Sequence, residues 1–210
     1  MTALVNHAIP AKVARPKGGV ILVPYAGEWP EATIAAIVAS PPHAYQLITE
    51  RLPLTDNPRQ AGSERYYEVL CHHWELCAEK GRDLVVIEHD VVIHKSTLWD
   101  FTDCTDLWCG NPLWMGNAHS ANNLGCVRFR AALLAEWPDL VRKAGDRPCG
   151  GIEPRFWKRM DSRIIDELKE RGYQVCKHRL GNPPSFGPCS HEPPVRHLHH
   201  YPKPDPEEWE

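Results

Sequence analysis

The residues best suited to chemistry sit at the end of one apolar run. In Asp83–Ile93 (DLVVIEHDVVI) the hydrophobic stretch is broken by Glu88-His89-Asp90. Two carboxylates at i and i+2, at the end of a buried strand, are costly to desolvate unless a cation meets them. A divalent ion shared with a diphosphate would do so. Mg²⁺ and Mn²⁺ take one or two protein carboxylates and fill their remaining positions with phosphate oxygens. Such an ion would neutralise charge building on a departing diphosphate, which is Lewis-acid catalysis. The same letters also suit a strand that simply ends in water. A second group, Arg196-His197-Leu198-His199-His200, carries imidazoles, which are good ligands for manganese and zinc and poorer ones for magnesium. A His-rich tract of this kind also binds metals weakly without purpose.

The elements that must position these groups follow from hydrophobic patterning. Gly18–Tyr25 (GGVILVPY) reads as a buried strand ended by Pro24, and Glu31–Ser40 as a short helix stopped by Pro41 and Pro42. His43–Glu50 reads as a second strand. Ser63 is a plausible N-cap for a four-turn helix closed by Gly81. The β-branched first half of Asp83–Ile93 predicts a central strand covered on both faces. Two strand–helix units followed by a buried strand predict an α/β fold with a doubly wound, mostly parallel sheet. Ligands of such sheets bind at the carboxyl ends of the strands, which puts Pro24, Tyr25 and Glu88-His89-Asp90 on one rim. Further on, 106–114 and 123–129 look like strands, and 130–144 is a helix interrupted near Pro138. Phe156–Gly172 is a helix with a glycine stop, and Tyr173–His178 is a strand.

Composition sets the bounds. The chain has 210 residues, 42% of them apolar, enough for one domain, here taken as 1–180. A net charge of −3 argues against a nucleic-acid binder that works by neutralising phosphates. The first twenty residues lack a signal-peptide core, and the longest apolar stretch is broken by charges. The expectation is a cytoplasmic protein with no membrane span. None of the eight cysteines forms a CxxC, so reduced thiols packed as small apolar side chains are expected. Eight of the 20 prolines and four of the 12 histidines fall in 181–210. Such a tail is expected to be neither a helix nor a central strand, but an extended arm packed over the rim.

The loop Asn111–Gly125 (NPLWMGNAHSANNLG) combines Trp114 with Asn122 and Asn123. Aromatic faces stack on sugar CH groups and amides bond hydroxyls, so these residues are candidate sugar contacts. A packed Trp beside turn-forming asparagines explains the same letters.

Taken in order, VILVPY, SERYYEVL and LVVIEHDVV resemble the glycosyltransferases of the GT-A family. Those enzymes have a nucleotide-contacting first strand, then a helix with a donor-contacting basic residue, then a buried strand ending in an Asp-x-Asp-like motif. Glu88 stands where the family has its first Asp. The resemblance covers about Gly18 to His200 and is one of layout and short motifs, closest to compact bacterial or phage-type enzymes. It implies transfer of a sugar from a nucleotide-sugar donor, UDP-sugar favoured, to a hydroxyl of a protein, glycan or small molecule. It further implies that Pro24, Tyr25 and Arg65 hold the nucleotide, with Glu88 and His89 beside them. Asp90 would hold Mn²⁺ (or Mg²⁺), completed by His199 or His197. Asp161, before SRIIDELKERG, would be the catalytic carboxylate, with Glu153 in CGGIEP as the competing candidate. Two alternatives come from other classes. Cys71, His72, His73 and Cys77 with the tail histidines could serve a zinc hydrolase, though no HExxH is present. A GT-A-like fold without a working metal site would be a binding module.

Overall fold

The computed structural model describes residues 18–25, 31–38, 45–52, 61–88, 91–93, 97–110, 113–115, 118–120, 124–147, 160–173 and 195–197. Strand β1 (Gly19–Tyr25), helix α1 (Glu31–Val38), strand β2 (Tyr45–Arg51), helix α2 (Ala61–Lys80) and strand β3 (Asp83–Ile87) come first. Strand β4 (Val91–Ile93), helix α3 (Thr97–Asp103) and the short strands β5 (Trp108–Gly110), β6 (Leu113–Met115) and β7 (Ala118–Ser120) follow. Strand β8 (Cys126–Phe129) precedes helices α4 (Ala131–Glu136), α5 (Leu140–Asp146) and α6 (Met160–Glu170), and strand β9 is Val195–His197.

The main sheet has the order β2-β1-β3-β8-β5. β1 pairs in parallel with β2 and β3, while β8 is antiparallel to both β3 and β5. Four strands therefore share a direction and β8 alone runs against them. Because β1 lies between β2 and β3, the β1–α1–β2 and β2–α2–β3 crossovers run in opposite directions along the sheet. Right-handed crossovers then lay the two helices on opposite faces. The cores agree. Val20, Leu22, Leu84 and Val86 pack with Leu70 and Trp74 of α2 and with α4, α5 and α6. Ile21, Val23, Val85 and Ile87 pack with Ile37 of α1 and with Leu98 and Phe101 of α3. Alternate residues of one strand thus serve both cores, which is why β3 is apolar without a break.

Trp74 anchors the α2 face. It is fully buried, donates its Nε1–H to the Trp137 carbonyl at 2.9 Å, and lies 4.9 Å from the Phe129 ring. Truncating it to Ala should cost about 3–5 kcal/mol. At the far end of α2, Gly81 takes a left-handed φ of 61°, and Arg82 N–H closes the helix onto the Cys77 carbonyl.

A second sheet, β4-β9-β6-β7, flanks the first. β9 is antiparallel to β4, with Val91 opposite His197, and parallel to β6, with Trp114 opposite Arg196.

Several expectations change. The central strand expected from the first half of Asp83–Ile93 is β3, and the second half forms β4 in the other sheet, past the carboxylates that interrupt the apolar pattern. The 106–114 segment likewise divides into β5 and β6. Helix α2 begins at Ala61, so Ser63 lies inside it rather than capping it. The loop 111–125 contains a hairpin, β6–β7. The proline-rich arm supplies an internal strand, because Val195-Arg196-His197 is free of proline and keeps its amides for pairing. The expected strand Tyr173–His178 lies, beyond Tyr173, outside the described residues. Among the described residues no helix is long and apolar enough to cross a membrane.

Candidate functional site

The carboxyl ends of β1 and β3 form the point where the sheet's winding reverses, the usual ligand crevice of such folds. Pro24 is buried there and pairs in register with Glu50, while Tyr25 is part-exposed and pairs with Arg51. The Tyr25 carbonyl accepts the Leu52 N–H at 2.8 Å, which ties the ends of β1 and β2 together. On the other side, the Glu88 N–H donates to the Gly125 carbonyl at 2.9 Å. The rim is therefore stitched between β1 and β2 and between the end of β3 and the start of β8.

Helix α2 delivers two consecutive side chains to this rim. Arg65 is exposed and lies 3.7 Å from Glu50 at the end of β2 and 3.4 Å from Glu68. Tyr66 is buried and donates its hydroxyl to Glu88 at 3.4 Å, past the end of β3. One residue reaches toward β2 and the next toward β3, so the pair straddles the end of β1. An arginine there can meet a phosphate, and the part-exposed Glu88 can accept from a hydroxyl-bearing ligand. His73 stands behind Glu50 at 3.3 Å. Burial pushes its imidazole below its ordinary range, against the opposing pull of Glu50.

Beyond Glu88 the chain is held again at Val91. Its N–H donates to the Glu88 carbonyl at 3.1 Å, and its carbonyl accepts the Thr33 hydroxyl of α1 at 2.5 Å. The bond between Val91 and Glu88 spans His89 and Asp90, which lie outside the described residues. The β4–β9 pairing puts the backbone of His197 opposite Val91, the residue after Asp90. The arm thus returns to the acidic segment although nearly the whole fold separates them in sequence.

Other expected residues lie on other elements. The backbone of Trp114 lies in β6, next to β9. Asp161 is in the first turn of α6, which packs on α5 and the α2 face, and its Oδ1 accepts the Ser162 N–H at 2.7 Å. Glu153, Asn122, Asn123 and His199 lie outside the described residues. The structure thus brings Pro24, Tyr25, Arg65 and Glu88 to one rim, with the backbone of His197 beside the strand that follows. Glu50, Tyr66 and Thr33 were not singled out from sequence. An acid at a strand end was visible for Glu50, whereas Thr33 and Tyr66 read as ordinary helix residues.

Two candidates of the zinc alternative are core residues. Cys71 and Cys77 are buried in the core, burial pushes both thiols up, and that of Cys77 reaches about 11. A zinc ligand must be a thiolate. Among the described residues no group of three or more His, Cys, Asp or Glu is gathered to hold a metal.

No protein-family model matches the chain, and no curated protein matches it in sequence. Among solved structures, the fold is similar to that of the apo-form glycosyltransferase GlyE of Streptococcus pneumoniae TIGR4, at 9% identity and a TM-score of 0.47. A second structure of GlyE gives 10% and 0.43. In both, 87% of this chain aligns with 54% of the other, so it spans about half their length. A glycosyltransferase involved in the glycosylation of the major capsid of PBCV-1 is similar at 14% identity and a TM-score of 0.45, over 75% of this chain and 81% of that one. The likeness is one of layout.

Proposed function

We propose that this protein is a metal-assisted glycosyltransferase, which moves a sugar from a nucleotide-sugar donor, UDP-sugar favoured, to an acceptor hydroxyl. The observation that carries this reading is the return of β9 to β4. It brings the histidine-bearing arm alongside the residue that follows Asp90, at the rim where Tyr25, Arg65 and Glu88 converge. Together the arm and the acidic segment supply a carboxylate and an imidazole, a set that suits Mn²⁺ and, less well, Mg²⁺.

In this reading Pro24 and Tyr25 line the nucleotide, and Arg65 meets a phosphate. Glu88 accepts from the ribose or supports Asp90, with His89 between them. Asp90 holds the metal with His197 or His199. When bound, the metal supplies positive charge to the departing diphosphate. Trp114 and Asn123 contact the sugar. Asp161, or Glu153 in its place, takes the proton of the acceptor hydroxyl as the acceptor oxygen bonds the anomeric carbon and the bond to the diphosphate breaks.

Thermal shift with UDP and GDP, each with and without Mn²⁺, tests the reading on the wild type and Asp90→Ala. The expected outcome is stabilisation by UDP that grows with manganese and disappears in the variant. At a concentration of a hundred times Kd, the gain is about 2.7 kcal/mol. A folded protein that shifts with no nucleotide would instead be a binding module on the same scaffold.

A further inference from the structure

The Glu88–Val91 segment is held from outside by a residue that makes no part of the rim. Thr33 lies in α1, is fully buried, and donates its Oγ1–H to the Val91 carbonyl at 2.5 Å. Thr33 is the third residue of α1, so its own helix has no carbonyl one turn back for the hydroxyl to bond. Here the donor crosses to a strand 58 residues away. The acceptor is also notable. Val91 is buried, its N–H is taken by the Glu88 carbonyl, and its β9 partner is His197. The two peptide groups flanking the Val91 α-carbon are thereby both fixed, one by the segment's own closing bond and one by α1. Asp90 is the residue immediately before this clamped position.

We propose that Thr33 is a positioning residue for the Asp90 carboxylate, acting through the Val91 carbonyl. The inference rests on the reading of Asp90 as a metal-holding residue. Metal affinity depends steeply on how well the groups behind a ligand fix its direction. Val91 begins a strand of only three residues, so its own sheet holds it by few bonds. The hydroxyl of Thr33 adds the hold that a short strand lacks, and it ties the acidic segment to the helix packed beneath it. Without that hydroxyl the buried Val91 carbonyl loses this donor, and of the two bonds that fix the peptides around Val91 only the one to Glu88 remains.

The test compares Thr33→Val, Thr33→Ala and Thr33→Ser with wild type and Asp90→Ala, as full chains. Manganese binding is read from the loss of the free-ion electron paramagnetic resonance signal, and UDP affinity without metal is measured in parallel. Manganese affinity should fall about tenfold in Thr33→Val and Thr33→Ala and stay within about twofold in Thr33→Ser, with metal-free UDP affinity unchanged. The pattern follows the hydroxyl rather than side-chain volume, because Val fills the space and Ser does not. Should Thr33→Val fail to fold, the Ala and Ser variants, which differ by the hydroxyl alone, carry the same comparison. Wild-type affinity in Thr33→Val and Thr33→Ala overturns the inference, as does an equal loss in Thr33→Ser. If Asp90→Ala itself keeps full manganese affinity, the metal reading falls and takes this inference with it. Loss in Asp90→Ala with none in Thr33→Val or Thr33→Ala removes the inference alone.

Discussion

Strand β3 has an acid at each end, and the two have opposite fates. Asp83, at its start, is 2% exposed. Its Oδ2 lies 3.3 Å from Arg130 and 3.9 Å from Arg128, and its Oδ1 accepts the Ala131 N–H at 2.8 Å. Both arginines also donate to the carbonyls that end α3: Arg128 reaches Phe101, Cys104 and Asp106, and Arg130 reaches Cys104 and Thr102. That end is a closed knot of charge fastening α3 and α4 to the sheet. Glu88, just past the other end, is part-exposed and accepts a long bond from the Tyr66 hydroxyl. The comparison teaches that a strand-end acid is not functional by position alone. Burial and saturation by arginine make it structural, while partial exposure beside a crevice leaves it able to meet a ligand.

This contrast can be broken most directly at Asp83. Asp83→Ala strands two buried arginines and should cost about 3–5 kcal/mol in urea unfolding, whereas Glu88→Gln should stay within about 0.5 kcal/mol of wild type. Equal losses at both positions would erase the distinction. On function the order reverses. Glu88→Gln should lower transfer from a UDP-sugar about tenfold, a rate measurable by released UDP, because it keeps shape and removes charge. A smaller effect is expected at Arg65, which is half exposed and already shared between Glu50 and Glu68. Arg65→Ala should weaken UDP binding about fivefold by calorimetry, and unchanged binding would remove it from the nucleotide site.

The smallest effect concerns pH. Burial lowers the folded pKa of His73 below its ordinary 6.5. Below that value the unfolded chain takes up a proton that the folded chain declines, so stability falls as pH drops from about 6.5 toward the folded pKa. Above 6.5 both states are neutral and the contribution vanishes. Thermal unfolding between pH 5 and 8 should show this slope in wild type and a flatter one in His73→Gln. Parallel curves would exclude His73 as its source.

The fold was most legible where one residue type served both faces. Val20–Val23 and Leu84–Ile87 are apolar without interruption because they feed two cores, and no other element explains such runs. Helix α3 was illegible for the opposite reason. Its seven residues, TLWDFTD, have little helical signal of their own, and Leu98, Phe101 and the guanidinium of Arg128 hold the turn in place. Arg128 also breaks the apolar pattern of β8, and its purpose shows only once α3 is beside it. At the site, Pro24, Tyr25 and Glu88 followed from the rule that strand ends carry ligands. Thr33 and Tyr66 did not, because each acts through a partner distant in sequence, and a single chain carries no record of such pairs.

The pairing of β4 with β9 bears on how the protein is made. Among the described residues, β8 is the last strand of the main sheet in chain order and α6, ending at Glu170, is the last helix. Ile93 and Val195 meet across roughly a hundred residues of intervening chain, a contact of high sequence separation that forms late. During synthesis the core can therefore close while the arm is still being added. The acidic segment gains its neighbouring strand only once residue 197 has emerged, so the scaffold is built before it is armed.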